Sequence, residues 1–135
     1  MKKENNYKNI YTLQERKNEY EKIILKFPMR IPIILENNST SNNNIPDIDK
    51  KKFLLPYDMT ISQFLIILRK RIKISPTSAI YIFIENIIPS GPSIISDLYK
   101  SYKDEDGFLY MSYRGENTFG LYLLPLDHAA LEETV

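Results

Sequence analysis

The spacing of apolar side chains switches repeatedly between a helical and an extended period along this chain, and the order of those switches limits the fold more than any other feature. Tyr20, Ile23, Ile24 and Phe27 recur at i, i+3, i+4 and i+7 with Glu and Lys between them, which predicts an amphipathic helix over residues 11–26 that Pro28 stops. Arg30–Glu36 (RIPIILE) is rich in β-branched residues, but Pro32 cannot donate to a ladder on both sides, so that part of the strand is expected at an edge or a bulge. Residues 37–46 are mostly Asn and Ser, a composition that cannot repay ordering by burial, and read as a mobile hairpin loop. Lys50–Pro56 (KKKFLLP) is a second strand. Thr60 then stands three residues before Gln63, a capping box, ahead of a helix with Ile61, Phe64, Leu65, Leu68 and Ile72 on one face; Arg69, Lys70, Arg71 and Lys73 crowd its last turn, where positive charge suits the helix dipole. Ala79–Ile84 is a buried strand, Glu85-Asn86 a turn and Ile87-Ile88 a short return. Ser93 is expected to cap another helix carrying Ile94, Ile95, Leu98, Tyr99 and Tyr102, and residues 108–113 (FLYMSY) form the last strand. The order helix, β, β, α, β, β, α, β is an α+β arrangement, with a helix across one face of a mixed sheet and the first and last strands free to pair at its centre.

Composition removes most catalytic chemistry. The 135 residues contain no cysteine and a single histidine, His128. That excludes a disulfide framework, a thiol nucleophile, a Cys-ligated metal and a His-rich metal site, so no metal or cofactor is expected. Proton transfer or nucleophilic attack would fall to Ser, Lys or carboxylates in a dry site, and nothing in the pattern assembles one. With 18 basic against 17 acidic residues the chain has no global field to draw nucleic acid, and the clusters Lys50–Lys52 and Arg69–Lys73 lack interleaved aromatics. No apolar run approaches the roughly 18 residues of a membrane span, and the polar start is unlike a secretory signal, so the expected compartment is the cytoplasm. Asp104–Asp106 reads as a polar turn ahead of a strand.

Several blocks together resemble one family. KFPMRIPIILE (26–36), DIDKKKFLLP (47–56), QFLIILRKRI (63–72), YKDEDGFLY (102–110) and ENTFG (116–120) are similar to the ubiquitin-like modifiers of autophagy, the GABARAP and light-chain-3 family, in unbroken order over residues 11–120. The resemblance implies a ubiquitin-like β-grasp with an N-terminal helical extension. It divides the chain into a flexible or helical arm (1–10), a ubiquitin-like domain (11–120) and a tail (121–135) that is either removed or an addition to the native sequence.

By the same resemblance a cysteine protease cuts the Gly120-Leu121 bond, and activating and conjugating enzymes then join Gly120 to phosphatidylethanolamine on the autophagosomal membrane. Glycine suits this, because a residue without a Cβ threads narrow enzyme channels in extended form. The second strand is expected to take receptor peptides of aromatic-x-x-aliphatic pattern by β-augmentation. The carried-over first pocket consists of Glu19, Ile23, Pro32, Lys52, Leu54 and Phe108. The second consists of Phe53, Leu55, Pro56, Met59, Phe64, Ile67 and Leu68, with Arg30, Lys50 and Arg71 for acidic flanking residues. Ordinary core packing is the alternative for Phe64, Ile67 and Leu68. A chain without an exposed heptad is expected to be a monomer before conjugation. The rival reading is a soluble adaptor that uses only the peptide groove and never receives lipid.

Overall fold

The computed structural model describes residues 6–38, 45–48, 50–74 and 77–115. Its first element is a one-turn helix, α1 (Tyr7–Ile10), whose cap Asn6 accepts the Asn9 N–H at 2.8 Å. The next helix, α2 (Leu13–Lys26), opens on a capping box missing from the sequence reading: Thr12 Oγ1 accepts the Glu15 N–H at 3.1 Å, and the Glu15 carboxylate accepts the Thr12 N–H at 2.8 Å. The TLQE tetrapeptide carried that signal, and it moves the helix start from Tyr11 to Leu13.

Four strands follow the sequence closely: β1 (Arg30–Asn37), β2 (Lys52–Pro56), β3 (Ile80–Phe83) and β4 (Leu109–Gly115). Their order across the sheet is β2-β1-β4-β3, with β1 and β4 parallel at the centre and the outer pairs antiparallel. Pro32 sits inside β1 without a bulge because its two ladders are staggered. β2 pairs with Arg30–Ile34, whereas pairing with β4 begins only at Ile33. The Leu35 N–H donates to the Lys51 carbonyl at 2.8 Å, and alternation from that bond turns the Pro32 nitrogen away from β2, toward the side not yet occupied by β4.

Helices α3 (Ile61–Ile72) and α4 (Ile95–Tyr102) cover one face of this sheet, and the predicted Thr60/Gln63 capping box is present. Two expectations need correction. The Ile87-Ile88 return forms a single bridge, Ile84 with Ile87, and no strand; Pro89 follows at once and removes the next donor. Ser93 does not cap α4. The cap is Ile94, which makes no side-chain bond, and the Ser93 hydroxyl lies 2.9 Å from that of Ser90. The first amides of α4, on Ile95 and Ser96, donate instead to the carbonyls of Met59 (2.8 Å) and Tyr57 (3.0 Å) in the β2–α3 connection. Tertiary contact thus replaces the local cap.

The main core lies between this helical layer and the sheet, with Ile33, Leu35, Phe64, Leu68, Leu109 and Tyr113 fully buried. A smaller cluster of Tyr7, Ile34 and Phe108, flanked by Tyr20, Ile23 and Tyr110, fills the opposite face beneath α1 and α2. Asp106 holds that second layer in place. It is 1% exposed, accepts from Arg16 Nη1 (2.7 Å) and from the Phe108 N–H (2.8 Å), and takes the Tyr110 hydroxyl as a third donor. Burial and this carboxylate together push the Tyr110 phenol well above its ordinary range. Asp104, beside it, accepts from Lys8. Burial alone would raise the Asp104 carboxyl, but the Lys8 ammonium, the Asp106 N–H and Arg16 outweigh it and hold it below the ordinary carboxylate range. The turn needs a glycine at Gly107, where φ is +100° and a Cβ would strike the Tyr20 ring.

Of the expected 37–46 loop, residues 39–44 lie outside the described residues, but its far end is anchored to the sheet. The Tyr113 hydroxyl accepts the Ile48 N–H at 3.0 Å and donates to the Pro46 carbonyl at 3.1 Å, and burial pushes this phenol up to about 12. Tyr113→Phe leaves a buried amide unpaired and should destabilise the fold by about 1–2 kcal/mol in urea unfolding, with faster exchange of the Ile48 amide. A change below about 0.5 kcal/mol would mean that the loop is held by other contacts.

Candidate functional site

β2 is an edge strand, and its side chains alternate as a period of two requires: Phe53 and Leu55 are buried, while Lys52, Leu54 and Pro56 are half-buried on the other face. The alternation that starts at the Leu35–Lys51 bond makes Ile33–Phe53 and Ile31–Leu55 the hydrogen-bonded pairs. The amides and carbonyls of Lys52 and Leu54 therefore point outward, away from β1. Arg30 Nη1 reaches the Leu54 carbonyl at 3.4 Å, a long contact that an incoming backbone N–H can replace.

The first set of expected residues converges beside this edge. Lys52 is paired across the sheet with Ile34, and Leu54 with Pro32, so all four share the face covered by α2. Glu19 on α2 meets Lys52, with Nζ and Oε2 3.0 Å apart, and Ile23 packs on Phe108, which is fully buried as the floor. Desolvation would lower the Lys52 ammonium, but Glu19 and Tyr7 outweigh it and leave it raised. Tyr7, missing from the sequence reading, stands at this pocket. Its ring lies 5.5 Å from Lys52 Nζ and edge-on to Phe108 at 5.7 Å, and its N–H donates to Glu36 at 2.7 Å. An isolated tyrosine in a polar segment shows no period, so no sequence signal marked it.

The second set divides into two layers. Phe53, Leu55, Phe64 and Leu68 belong to the main core, at 6, 5, 0 and 0% exposure. Pro56, Met59 and Ile67 line an open groove of about 450 Å³, together with Asp58, Gln63 and Ile66, which the sequence reading did not include. The division follows the helix period. Phe64 and Leu68, four residues apart, face the sheet, and Gln63, Ile66 and Ile67 flank that stripe on the solvent side. The expected cations fall at opposite ends. Lys50 Nζ and the Arg71 guanidinium converge on the Phe53 ring at 5.3 and 5.9 Å, at the start of β2, whereas Arg30 pairs with Pro56 at its end. Gly120 and Leu121 lie outside the described residues.

The arrangement is an open strand edge with the packed Lys52/Phe108 cluster on one face, the Met59/Ile67 groove on the other, and cations at both ends. Comparison with known proteins places it. The family described as "Autophagy protein Atg8 ubiquitin like" matches residues 15–120. This chain belongs to the Atg8 family. It is 51% identical to Arabidopsis thaliana Autophagy-related protein 8d over 116 residues, covering 86% of this chain and 95% of that protein. Against Schizosaccharomyces pombe Autophagy-related protein 8 it is 47% identical over 114 residues, with 84 and 93% covered. Among solved structures, Trypanosoma brucei ATG8 superposes with a TM-score of 0.74 at 39% identity, over 82% of this chain and 93% of the other. Plasmodium falciparum Atg8, solved in complex with a P. falciparum Atg3 peptide, gives 0.72 at 38% identity, over 80 and 94%. The Atg8 fold seen here is thus the α+β, ubiquitin-like one that the family resemblance implied.

Proposed function

We propose that this Atg8 family chain is a modifier and docking platform for autophagy with no catalytic site of its own. The observation that carries the reading is the outward-facing β2 edge, with the Met59/Ile67 groove on one face and the Lys52/Phe108 cluster on the other. A peptide strand laid on Lys52 and Leu54 gains backbone hydrogen bonds, and side chains three apart reach the Lys52/Phe108 cluster and the Met59/Ile67 groove. An aromatic ring fits the first, beside Tyr7 and Phe108, and an aliphatic side chain the second. Lys50 and Arg71 suit acidic residues on the ligand. The likeness to a relative solved with an Atg3 peptide supports a conjugating enzyme among the partners.

The chemistry at the carboxyl end belongs to partner enzymes. A cysteine protease hydrolyses the Gly120-Leu121 bond and frees the Gly120 carboxylate, which ATP-dependent activation converts to a thioester. The amine of phosphatidylethanolamine displaces the thiolate and an amide forms, which would hold the domain on the autophagosomal membrane. Among the described residues no helix is long and apolar enough to cross a membrane, so Gly120 would supply the attachment.

Intact mass tests this directly. Incubation with the protease should remove the mass of residues 121–135, and activating and conjugating enzymes, ATP and phosphatidylethanolamine liposomes should then add one lipid to Gly120. Gly120→Ala should abolish the lipid adduct and leave peptide binding equal to that of the uncut chain. A chain that stays uncut and unlipidated yet binds an aromatic-x-x-aliphatic peptide would be a soluble adaptor.

A further inference from the structure

The end of β4 bears on the β2 edge through the topology of the sheet. β4 runs parallel to β1 and β2 runs antiparallel to both, so β4 finishes at the end of the sheet where β2 begins. In the order β2-β1-β4-β3 a strand added outside β2 lies three positions from β4, about 14 Å across the sheet, and the two registers place Gly115 about 10 Å further along the strands than Lys50. Residues 116–121 span about 20 Å when extended, so the chain after Gly115 is long enough to bring Leu121 to the outer edge beside Lys50. From there the open edge of β2 leads toward Pro56, past the outward groups of Lys52 and Leu54.

Residues 121–126 have the composition of an added strand. Leu121-Tyr122-Leu123-Leu124-Pro125-Leu126 is apolar throughout, and a proline is tolerated on an outermost strand. Charge points the same way. Residues 116–135 contain Glu116, Asp127, Glu132 and Glu133 but neither lysine nor arginine, so the rest of a nearly neutral chain carries the positive excess. Part of that excess, Lys50 and Arg71, stands at the entry to the edge. We infer that in the uncut chain Leu121–Leu126 docks as an extra strand on β2 and covers the cluster and the groove until the Gly120-Leu121 bond is cleaved. This rests on the reading of the β2 edge as a peptide groove and adds an internal occupant: the precursor masks its own docking surface.

Amide hydrogen exchange of Lys52 and Leu54 in the full chain and in a chain ending at Gly120 reads the pairing without any added ligand. Protection at least about ten-fold higher in the full chain is expected; equal exchange overturns the inference. In parallel, a labelled peptide with an acidic flank and an aromatic-x-x-aliphatic core should bind the full chain about ten-fold more weakly than the shortened one, because only the undocked fraction is competent. Leu123→Ser with Leu124→Ser and Leu126→Ser in the full chain should close that gap. Equal affinity of the two chains overturns the inference. Failure of the shortened chain to bind the peptide refutes the groove reading instead, while exchange still reports whether the tail is docked.

Discussion

Asp106→Ala is expected to lower the free energy of unfolding by about 3 kcal/mol, the low end of the range for breaking a buried ion pair from one side. The carboxylate is 1% exposed, so its removal leaves three donors without their acceptor at once: Arg16, the Tyr110 hydroxyl and the Phe108 N–H. Two features keep the loss at the low end. Asp104 Oδ2 stands 3.7 Å from the same Arg16 nitrogen, and the Arg16 side chain keeps 11% exposure to water. The consequence is also local, because Asp106 ties α2 to the turn before β4, and the Phe108 it positions is the floor of the Lys52/Phe108 cluster. Urea unfolding should show a lower midpoint with an unchanged slope, and the melting temperature should fall by about 10 °C. A loss under about 1 kcal/mol would mean that water or Asp104 takes over the guanidinium, and the clamp would be no more than a surface pair.

The second large effect separates packing from docking on a single helix. Phe64→Ala should cost about 3–5 kcal/mol, since the ring is fully buried and stacks edge-on with Phe53 at 5.4 Å. Ile67→Ser, three residues further along α3, should cost under about 1 kcal/mol because the side chain is half-exposed on the groove wall. Peptide affinity should behave in the opposite sense. Loss of the Ile67 side chain removes most of the apolar area an aliphatic ligand residue would cover, about 1.5 kcal/mol and so about ten-fold in Kd. Unfolding curves and peptide titrations on the two variants decide the matter. If Ile67→Ser unfolds the domain or leaves binding intact, Ile67 belongs with the core and the groove is not the aliphatic recess.

Much of the architecture was legible in the residues because it rests on local rules. The Thr60/Gln63 box, the apolar stripe of α3, the alternation in β2 and the stop at Pro28 each need only neighbours a few positions away. The central pairing of the first and last strands followed from the order of elements. The misses have equally definite causes. Ser93 was read as a cap because Ser favours that position, but the amides of α4 found carbonyls from a distant connection. Tyr7 and Asp106 showed nothing periodic, and their roles come from partners in other elements, Phe108 and Lys52 for one and Arg16 for the other.

The candidate groove divides along the same line. Sequence alone determined the α+β arrangement, with a short cationic strand, a capped amphipathic helix and an aromatic-glycine pair ahead of an apolar, acidic segment. Period and composition are properties of neighbouring residues, and no folded partner is needed to read them. Only the tertiary structure decided that Phe64 and Leu68 lie beneath the groove while Ile66 and Ile67 line it. It also decided that Lys52 and Leu54 turn their backbone groups to the open edge, and that β4 ends beside the start of β2. Those facts depend on which strand lies next to which and in what register, and hydrogen bonds between segments distant in sequence set that register.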